Sequence, residues 1–271
     1  MFETFGAGDP VLQGKLFIAD EVPYNLLHSI CGSGDALRLK AVDDTMVFAQ
    51  TKGFNAWLWL AKEVTEARRE TLFRQLIDDH PELDLPGISG EPETAEYFAK
   101  MYSKAKHIRY ELYMMLESYY CHEVKKPTGV TGEMRRAEQH DVDIIADFLA
   151  GFSEWAYGAA VTKESQIPFA ERMIGAGNLY LWCADDIPVS MANIAHRSPR
   201  HARINTVYTP VEHRKKGYAS AIVAEMCCLL HSENLVPMLN ADLKNPDSNK
   251  VYRKAGFIEA GKIAEFKFKE Q

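Results

Sequence analysis

Cysteine is scarce in this sequence, and the few cysteines lack the spacing of a functional site. The 271 residues include five cysteines, and none of them forms a Cys-x-x-Cys pair. An odd number without that motif argues against a disulfide framework and against a zinc site. The nine histidines are scattered without metal-ligand spacing. We therefore predict no metal site and expect buried free thiols at every cysteine. These are Cys31, Cys121, Cys183, Cys227 and Cys228.

Long apolar runs and an excess of positive charge are also missing. No segment approaches the roughly 20 apolar residues that a membrane helix needs. The N-terminus lacks a basic segment followed by an apolar core, so it does not read as a signal peptide. The formal net charge is −7, which argues against binding to nucleic acid or to an anionic membrane. We predict a cytoplasmic protein with neither partner.

What is present is the composition of an ordinary globular protein. Hydrophobic residues make up 46% of the chain and charged residues 25%, and 271 residues suffice for one large domain or two of ordinary size. The segment Lys125–Gly132 has the composition of a linker. We predict a mixed α/β (α+β) chain with one domain at residues 1–126 and a second at residues 127–271.

One stretch of the second domain has the pattern of an anion-binding site. Ile204–Pro210 reads as a strand, Val211–Ser220 as a basic loop, and the apolar residues from Ala221 onward recur at helical spacing. The first backbone N–H groups of a helix lack intrahelical partners and favour an anion. The loop lacks the glycine spacing of ATP-binding and NAD-binding loops, which disfavours those two ligands.

A second motif follows after another predicted strand, Val236–Leu243. Asn245, Asn249 and Tyr252 are four and then three residues apart, so they share one face if Asn245 begins a helix. Gly256 is predicted to end that helix, and Phe257 to start the last strand.

These two motifs resemble the signatures of the GNAT-type N-acetyltransferases. Arg214–Ala219 fits the pattern Arg/Gln-x-x-Gly-x-Gly/Ala of the family's coenzyme loop, and Asn245–Phe257 fits Asn-x-x-small-x-x-x-Tyr-x-x-x-Gly-Phe. The two motifs occur in the family's order and at its spacing. The resemblance implies a GNAT acyltransferase fold in the C-terminal half and a reaction between acetyl-CoA and an amine. The acceptor would be a small molecule or a peptide.

The resemblance also implies roles for individual residues. The backbone of Val207 and Thr209 would bind the pantetheine arm, and Asn245 and Asn249 would bond the coenzyme. Tyr252 would protonate the leaving thiolate, although a tyrosine packed in the core is the alternative for this position. The residues implied for the pyrophosphate are Arg214, Lys215, Lys216, Gly217, Tyr218, Ala219 and Ser220. Without the adjacent helix start, the three basic residues would read as a solvated charge run.

The general base is not evident from the sequence. Many members of the family place a glutamate on the strand before the loop, whereas this strand has Arg203–Thr206. Glu154 and Glu212 could act through water, but both also read as surface carboxylates. His196 and His213 are weaker candidates. Two other functions therefore stay open: a non-catalytic acyl-CoA-binding or regulatory protein, and a nucleotide-binding protein that uses the basic loop for ATP.

The N-terminal half shows a similar order of predicted elements. Helix, three strands, helix, loop, helix and strand approximate the order within a GNAT domain, so we predict a degenerate GNAT-like domain. The segment Pro86–Gly90 is predicted to be a turn-rich loop at the place of the coenzyme loop. It has no basic residue and is followed by Glu91, Glu93 and Glu96, which would repel a pyrophosphate. This half is therefore predicted to lack a coenzyme site, and an unrelated α+β cap is the alternative.

Overall fold

A computed structural model describes residues 1–270 of the chain. Within these residues the strands are β1 (Phe2–Thr4), β2 (Ala36–Ala41), β3 (Met46–Thr51), β4 (Ala56–Leu60), β5 (Gly87–Gly90), β6 (Arg109–Tyr120), β7 (Glu133–Arg136), β8 (Leu179–Ala184), β9 (Ile187–Arg197), β10 (His201–Tyr208), β11 (Val236–Asp242) and β12 (Ile258–Lys269). The α-helices are α1 (Lys15–Ile18), α2 (Leu26–Gly32), α3 (Glu66–Asp79), α4 (Pro92–Lys106), α5 (Val142–Tyr157), α6 (Lys163–Gly175), α7 (Tyr218–Ser232) and α8 (Pro246–Lys254).

The chain packs as two compact units. Unit 1 contains Met1–Tyr119, Asn240–Asn245 and the residues from Glu259 onward, and unit 2 contains Tyr120–Leu239 and Pro246–Ile258. This division differs from the predicted domains at residues 120–126, at Asn240–Asn245 and in the last strand. Residues from Glu259 onward were assigned to the C-terminal domain by position in the sequence, whereas they pack with unit 1.

The sheet of unit 1 has strands in the order β1-β2-β3-β4-β5-β12-β6. Its two faces carry separate cores because successive side chains of a strand point to opposite faces. On β3, Met46 and Phe48 belong to the core that α3 and α4 cover, while Val47 and Ala49 belong to the core with Phe17 on α1. Unit 1 therefore has a layer of helices on each face of its sheet.

The strand β5 corrects the prediction of a loop at Pro86–Gly90. All four residues Gly87–Gly90 are buried, and the strand is parallel to β4 and antiparallel to β12. Its glycines serve close packing rather than a turn. A Cβ on Gly87 would lie 2.3 Å from the carbonyl oxygen of Phe266, and one on Gly90 would lie 2.7 Å from that of Leu58.

The sheet of unit 2 has strands in the order β11-β10-β9-β8-β7. Leu179 and Leu181 of β8 share a core with Ile145 and Phe148 of α5 and with Met173 of α6. Helix α7 packs on β8, β9 and β10 without contributing to that core. Strands β8 and β9 form a hairpin, and Asp185 and Asp186 at its turn have φ of 51° and 63°, as a tight two-residue hairpin turn requires.

The element order repeats between the two halves of the sequence. Each runs strand, two helices, three strands, helix, strand, helix and strand, from β1 to β6 in the first case and from β7 to β12 in the second. The sequence patterns missed the first strand of each set, since β1 and β7 have only three and four residues. Helix α6 begins at Lys163, where Thr162 caps it.

Candidate functional site

The loop between β10 and α7 has a backbone that only particular residues tolerate. Lys215 has φ of 63° and Gly217 has φ of 89°, so both are left-handed. Gly217 is the residue before α7, and a Cβ at this position would lie 2.7 Å from Cγ2 of Val130. Glycine is therefore needed here for two reasons: the positive φ and the close approach of Val130.

The start of α7 presents backbone donors without intrahelical partners. The first bond within the helix runs from the N–H of Ala221 to the carbonyl of Gly217, at 3.0 Å, so the N–H groups of Tyr218, Ala219 and Ser220 precede the ladder. The first turn contains no acidic residue, and Lys215 and Lys216 before it are exposed. Left-handed residues followed by a helix N-terminus form a concave set of amides that suits a diphosphate.

Arg214 uses its donors within the loop. Its Nε donates to the carbonyl of Thr209 at 2.9 Å, and its backbone N–H donates to the carbonyl of Val211 at 3.2 Å. The guanidinium carbon also lies 5.3 Å from the ring centroid of Trp155 and 5.9 Å from that of Tyr208, within the range of cation–π attraction. This geometry favours a role for Arg214 in holding the loop, whereas the sequence pattern implied contact with the pyrophosphate.

The strand β10 leaves β11 near the loop and has a bulge against β9. It is paired with β11 at three positions that end at Arg203 and Met238, whereas the strand continues to Tyr208. Its register with β9 shifts between Asn205 and Tyr208, and Thr206 has φ of 52°. A β-branched residue at positive φ is strained, and bulges of this kind re-aim a strand. Val207 lies in this bulge, outside the recorded register with either neighbour.

Thr209 follows β10 and is held by two contacts. Its carbonyl accepts from Arg214, and its hydroxyl lies 2.8 Å from that of Ser190. The hydroxyl of Ser190 also donates to the carbonyl of Tyr208, at 2.9 Å. Arg214 engages the carbonyl of Thr209. We therefore expect the backbone N–H of Thr209 to be the group that would bind a pantetheine arm, as the resemblance implied for this residue.

Helix α8 brings two of the predicted residues together. Asn249 and Tyr252 are its buried positions, as their spacing of three predicts. The ring centroid of Tyr252 lies 5.8 Å from that of Phe257, and burial raises the pKa of its hydroxyl well above the usual value. Tyr252 therefore keeps its proton at neutral pH. Asn245 directly precedes this helix but packs with unit 1, so it remains a prediction from sequence.

Gly256 ends this helix as predicted. It has φ of 98°, and a Cβ on it would lie 2.3 Å from the carbonyl oxygen of Glu123. The N–H of Phe257 donates to the carbonyl of Tyr252 at 3.0 Å, which closes the last turn.

The candidate bases are not brought into one cluster. Glu154 near the end of α5 and Glu212 before the loop are exposed, as expected for surface carboxylates. His213 lies in the single 3-10 turn Val211–His213, and His196 lies on β9 opposite Arg203. The structure therefore singles out none of them as the base.

Sequence reasoning missed Tyr208 and Trp155 as parts of the site. Tyr208 is buried under α5, where a Cβ on Gly151 would lie 2.2 Å from its hydroxyl oxygen. Desolvation raises the pKa of Tyr208, the nearby Arg214 opposes the rise, and Glu212 and Asp147 add to it. The glycine inside the apolar stripe of α5 was the available sequence signal, since it marks where a large side chain from another element must fit.

The corresponding place in unit 1 is differently built. By element order, the counterpart of the loop is the β4–α3 connection at residues 61–65 and not Pro86–Gly90. There the hydroxyl of Thr65 accepts from the N–H of Arg68, Glu66 lies in the first turn of α3, and Lys62 forms an ion pair with Asp20. One donor at this helix start is thus capped by a side chain of unit 1 itself, and the first turn carries an acidic residue.

Comparisons with known proteins agree with the motifs. Residues 146–257 match the model of the acetyltransferase (GNAT) family. A GNAT-family acetyltransferase from Colwellia psychrerythraea has a TM-score of 0.62 at 15% identity, with 99% of this chain and 100% of that chain covered. A GCN5-related N-acetyltransferase from Sphaerobacter thermophilus has a TM-score of 0.63 at 14% identity, with 100% and 95% covered. At such identities the likeness shows the fold alone, and the GNAT fold predicted from the motifs is confirmed.

None of the curated proteins compared with this sequence matches it. Within residues 1–270, no helix combines the length and apolar character that a membrane crossing requires.

Proposed function

We propose that unit 2 transfers an acetyl group from acetyl-CoA to a primary amine of a small molecule or peptide, as the match of residues 146–257 to the GNAT acetyltransferase family model supports. One observation carries this proposal. Two left-handed residues and an uncapped helix N-terminus follow a strand that has left its neighbour. This arrangement suits a diphosphate joined to an extended arm that needs backbone partners.

In this proposal the coenzyme is held mainly by backbone groups. The N–H groups at the start of α7 bind the diphosphate, and the ammonium groups of Lys215 and Lys216 add attraction. The backbone of Val207 and the N–H of Thr209 pair with the pantetheine arm, and the buried Asn249 supplies an amide to the same ligand. Fixing a long, flexible donor in this way positions its reactive end for attack, which contributes much of the rate in such reactions.

Tyr252 is the proposed general acid. Bound acetyl-CoA would supply a thioester-activated acetyl group, whose transfer forms a C–N bond to the amine and breaks the C–S bond. The phenol gives its proton to the departing sulfur and recovers the proton that the amine nitrogen loses, so that the protons balance. Since its pKa is raised by burial, it releases that proton only as negative charge develops on the sulfur.

Binding tests the first part of the proposal. Isothermal titration with acetyl-CoA should give saturable 1:1 binding, and a Lys215→Ala/Lys216→Ala variant should raise Kd about tenfold because two charge-assisted contacts are lost. Lys100→Ala, an exposed lysine on α4 of unit 1, is the control and should leave Kd unchanged. Absence of binding by the wild type at millimolar coenzyme would refute the proposal.

Turnover tests the role of Tyr252. We expect Tyr252→Phe to lower kcat about 100-fold, the usual contribution of a general acid, and to leave the Kd for acetyl-CoA near that of the wild type. The assay is thiol release with an amine acceptor. Tyr180→Phe, which removes a hydroxyl from another buried tyrosine of unit 2, should keep full activity.

The second candidate function is an acyl-CoA-binding protein without catalysis. It is favoured by the burial of Tyr252 against Phe257, since a tyrosine packed in this way can be purely structural. In that case acetyl-CoA binds, but no thiol is released with any amine, and Tyr252→Phe changes only thermal stability.

A further inference from the structure

One face of helix α5 packs against the end of strand β10 and the base of the loop. Its residues recur at spacings of three and four, so their positions share that face. We call them the template face of α5: Phe148, Gly151, Phe152 and Trp155. The ring centroid of Tyr208, the last residue of β10, lies 6.1 Å from that of Phe148 and 6.4 Å from that of Phe152. The template face therefore holds the residue that directly precedes Thr209.

Gly151 allows the close approach between the template face and Tyr208. A Cβ at this position would lie 2.2 Å from the hydroxyl oxygen of Tyr208 and 2.8 Å from its Cζ. The whole ring would have to move to relieve this clash, because a ring carbon is affected as well as the hydroxyl. A side chain at residue 151 would thus push the end of β10 away from α5, together with Val207 and Thr209 on either side of Tyr208.

Trp155, the last residue of the template face, contacts the loop itself. Its ring centroid lies 5.3 Å from the guanidinium carbon of Arg214, within the range of cation–π attraction. The same guanidinium carbon lies 5.9 Å from the ring centroid of Tyr208, and the Nε donates to the carbonyl of Thr209 at 2.9 Å. Trp155 therefore adds to the contacts that orient Arg214, and the residue after it, Lys215, has the left-handed backbone of the loop.

We infer that helix α5 positions the coenzyme loop, with Gly151 and Trp155 as positioning residues for coenzyme binding. Gly151 admits Tyr208 and so fixes the point at which β10 reaches the loop, while Trp155 orients Arg214. The inference rests on the proposed function, and it adds a requirement for coenzyme binding that lies outside both sequence motifs. Because coupling between two sites is reciprocal, bound coenzyme should in turn stabilise the last turn of α5.

Titration with acetyl-CoA tests the role of Gly151. Gly151→Ala should raise the Kd about tenfold, because overpacking displaces the end of β10. Gly151→Ala/Tyr208→Phe should bind more tightly than Gly151→Ala, since the atom nearest to the new Cβ is gone. Gly175→Ala is the matched control: this exposed glycine lies in α6, and a Cβ there meets nothing within 4 Å. Its Kd should equal that of the wild type, although helix propensity changes in the same direction.

A double-mutant cycle tests the role of Trp155. Trp155→Ala should raise the Kd for acetyl-CoA about threefold, as expected for a partly exposed cation–π contact, and Trp155→Phe should restore part of the loss. In the Arg214→Gln background Trp155→Ala should cause no further loss, because its partner is already absent. Phe169→Ala is the matched control. Its ring is 43% exposed and lies 5.4 Å from the guanidinium carbon of Arg172, and its removal should leave the Kd unchanged.

Hydrogen exchange gives a readout that a purely structural role of Trp155 would not change. The N–H of Gly158 donates to the carbonyl of Glu154 at 2.9 Å, and that of Ala159 to the carbonyl of Ser153 at 3.4 Å. Saturating acetyl-CoA should slow exchange of these two amides in the wild type, and this protection should be lost in Trp155→Ala. Equal exchange with and without the coenzyme in the wild type would contradict the coupling.

The titrations separate failure of this inference from failure of the proposed function. If the wild type binds acetyl-CoA and both Gly151→Ala and Trp155→Ala bind it equally well, the inference is wrong while the proposed function stands. The same holds if the full loss from Trp155→Ala persists in the Arg214→Gln background, since Trp155 would then act elsewhere. Failure of the wild type to bind acetyl-CoA refutes the proposed function and the inference with it.

Discussion

Arg214 illustrates how a side chain at a motif position can make contacts that the motif does not suggest. The pattern Arg-x-x-Gly-x-Ala predicts an arginine beside a diphosphate, yet the Nε of Arg214 is bonded to Thr209 and its plane lies near Trp155 and Tyr208. Planar guanidinium groups combine a hydrogen bond with stacking in a way that lysine cannot reproduce. We therefore expect Arg214 to position the loop, whereas Lys215 and Lys216 are the exposed charges.

The salt dependence of coenzyme binding separates these two roles. We expect Arg214→Gln and Arg214→Lys both to raise the Kd for acetyl-CoA about tenfold, because each loses the stacked plane and the bond from Nε, a charge-assisted hydrogen bond. Kd is measured by titration between low and high ionic strength. For Arg214→Gln the slope of log Kd against log salt should stay close to wild type, while Lys215→Ala/Lys216→Ala should flatten it, since exposed charges are the ones that salt screens. Rescue by Arg214→Lys, or a flattened slope in Arg214→Gln, would instead assign Arg214 to the phosphates.

At the scale of elements, local patterns predicted what local interactions determine. The hairpins at Asp43–Asp44 and Asp185–Asp186, helix α3 and the end of α8 at Gly256 follow from turn chemistry, periodicity and capping. Strand β5 was missed because its glycines are needed for packing against Phe266 and Leu58, which are distant in sequence. The partners of Arg214 were missed for the same reason: Trp155 is brought to it only by the packing of α5 on β10.

The start of α5 depends on a buried ion pair. Both terminal nitrogens of Arg135 on β7 bond to the carboxylate of Asp141 at 2.7 Å, and this carboxylate also accepts from the N–H of Glu138 at 2.8 Å. Desolvation alone would raise the pKa of Asp141, but the bonds from Arg135 and Glu138 more than offset it, so the pKa lies below its ordinary value of 3.8. The pair fixes the entry to the helix that ends with Trp155 and Tyr157.

Replacing Asp141 should therefore destabilise unit 2 in a pH-dependent way. We expect Asp141→Asn to lower the free energy of unfolding by about 2 kcal/mol at pH 7, near the lower end for a broken buried pair because Arg135 is partly exposed. A lowered folded-state pKa stabilises the fold above the unfolded-state pKa, and this contribution is lost as pH falls through the folded-state value. The loss of unfolding free energy in the variant should thus be complete at pH 7. It should shrink below about pH 4, where Asp141 of the unfolded wild-type chain begins to protonate. Urea unfolding, followed by tryptophan fluorescence, measures the loss at pH 7 and the smaller loss below about pH 4.

Asp143→Asn provides the control for this comparison. Asp143 is an exposed residue in the first turn of the same helix, where it forms an ion pair with Lys163. Exposed pairs contribute less than about 1 kcal/mol, so this variant should unfold close to the wild type at both pH values. Equal losses in Asp141→Asn and Asp143→Asn would show that the buried pair has no special role.

At the scale of the whole molecule, the repeated element order does not mean that each half of the sequence folds by itself. Strand β12 comes last in the chain, yet Ala264 pairs with Gly90, and Phe266 pairs with Ile88 of β5. Ile263, Ala264 and Phe266 are buried in the two cores of unit 1. No periodicity within β12 could reveal this assignment, because alternation identifies a strand and its buried face but not the strand beside it.

A chain that ends at Ile258 should consequently lose the stability of unit 1. Burial of each large apolar side chain contributes about 1.5–3 kcal/mol, so removing Ile263 and Phe266 together with the pairing to β5 should cost a large share of a typical domain's 5–15 kcal/mol. The exposed edge of β5 would also invite association between chains. Limited proteolysis with mass spectrometry should show early cleavage within residues 1–119 of the truncated chain, whereas a control chain that ends at Lys269 should resist like the full protein. Equal resistance of the two chains would mean that unit 1 completes its core without β12, and that the last strand belongs to the C-terminal domain as its position in the sequence predicts.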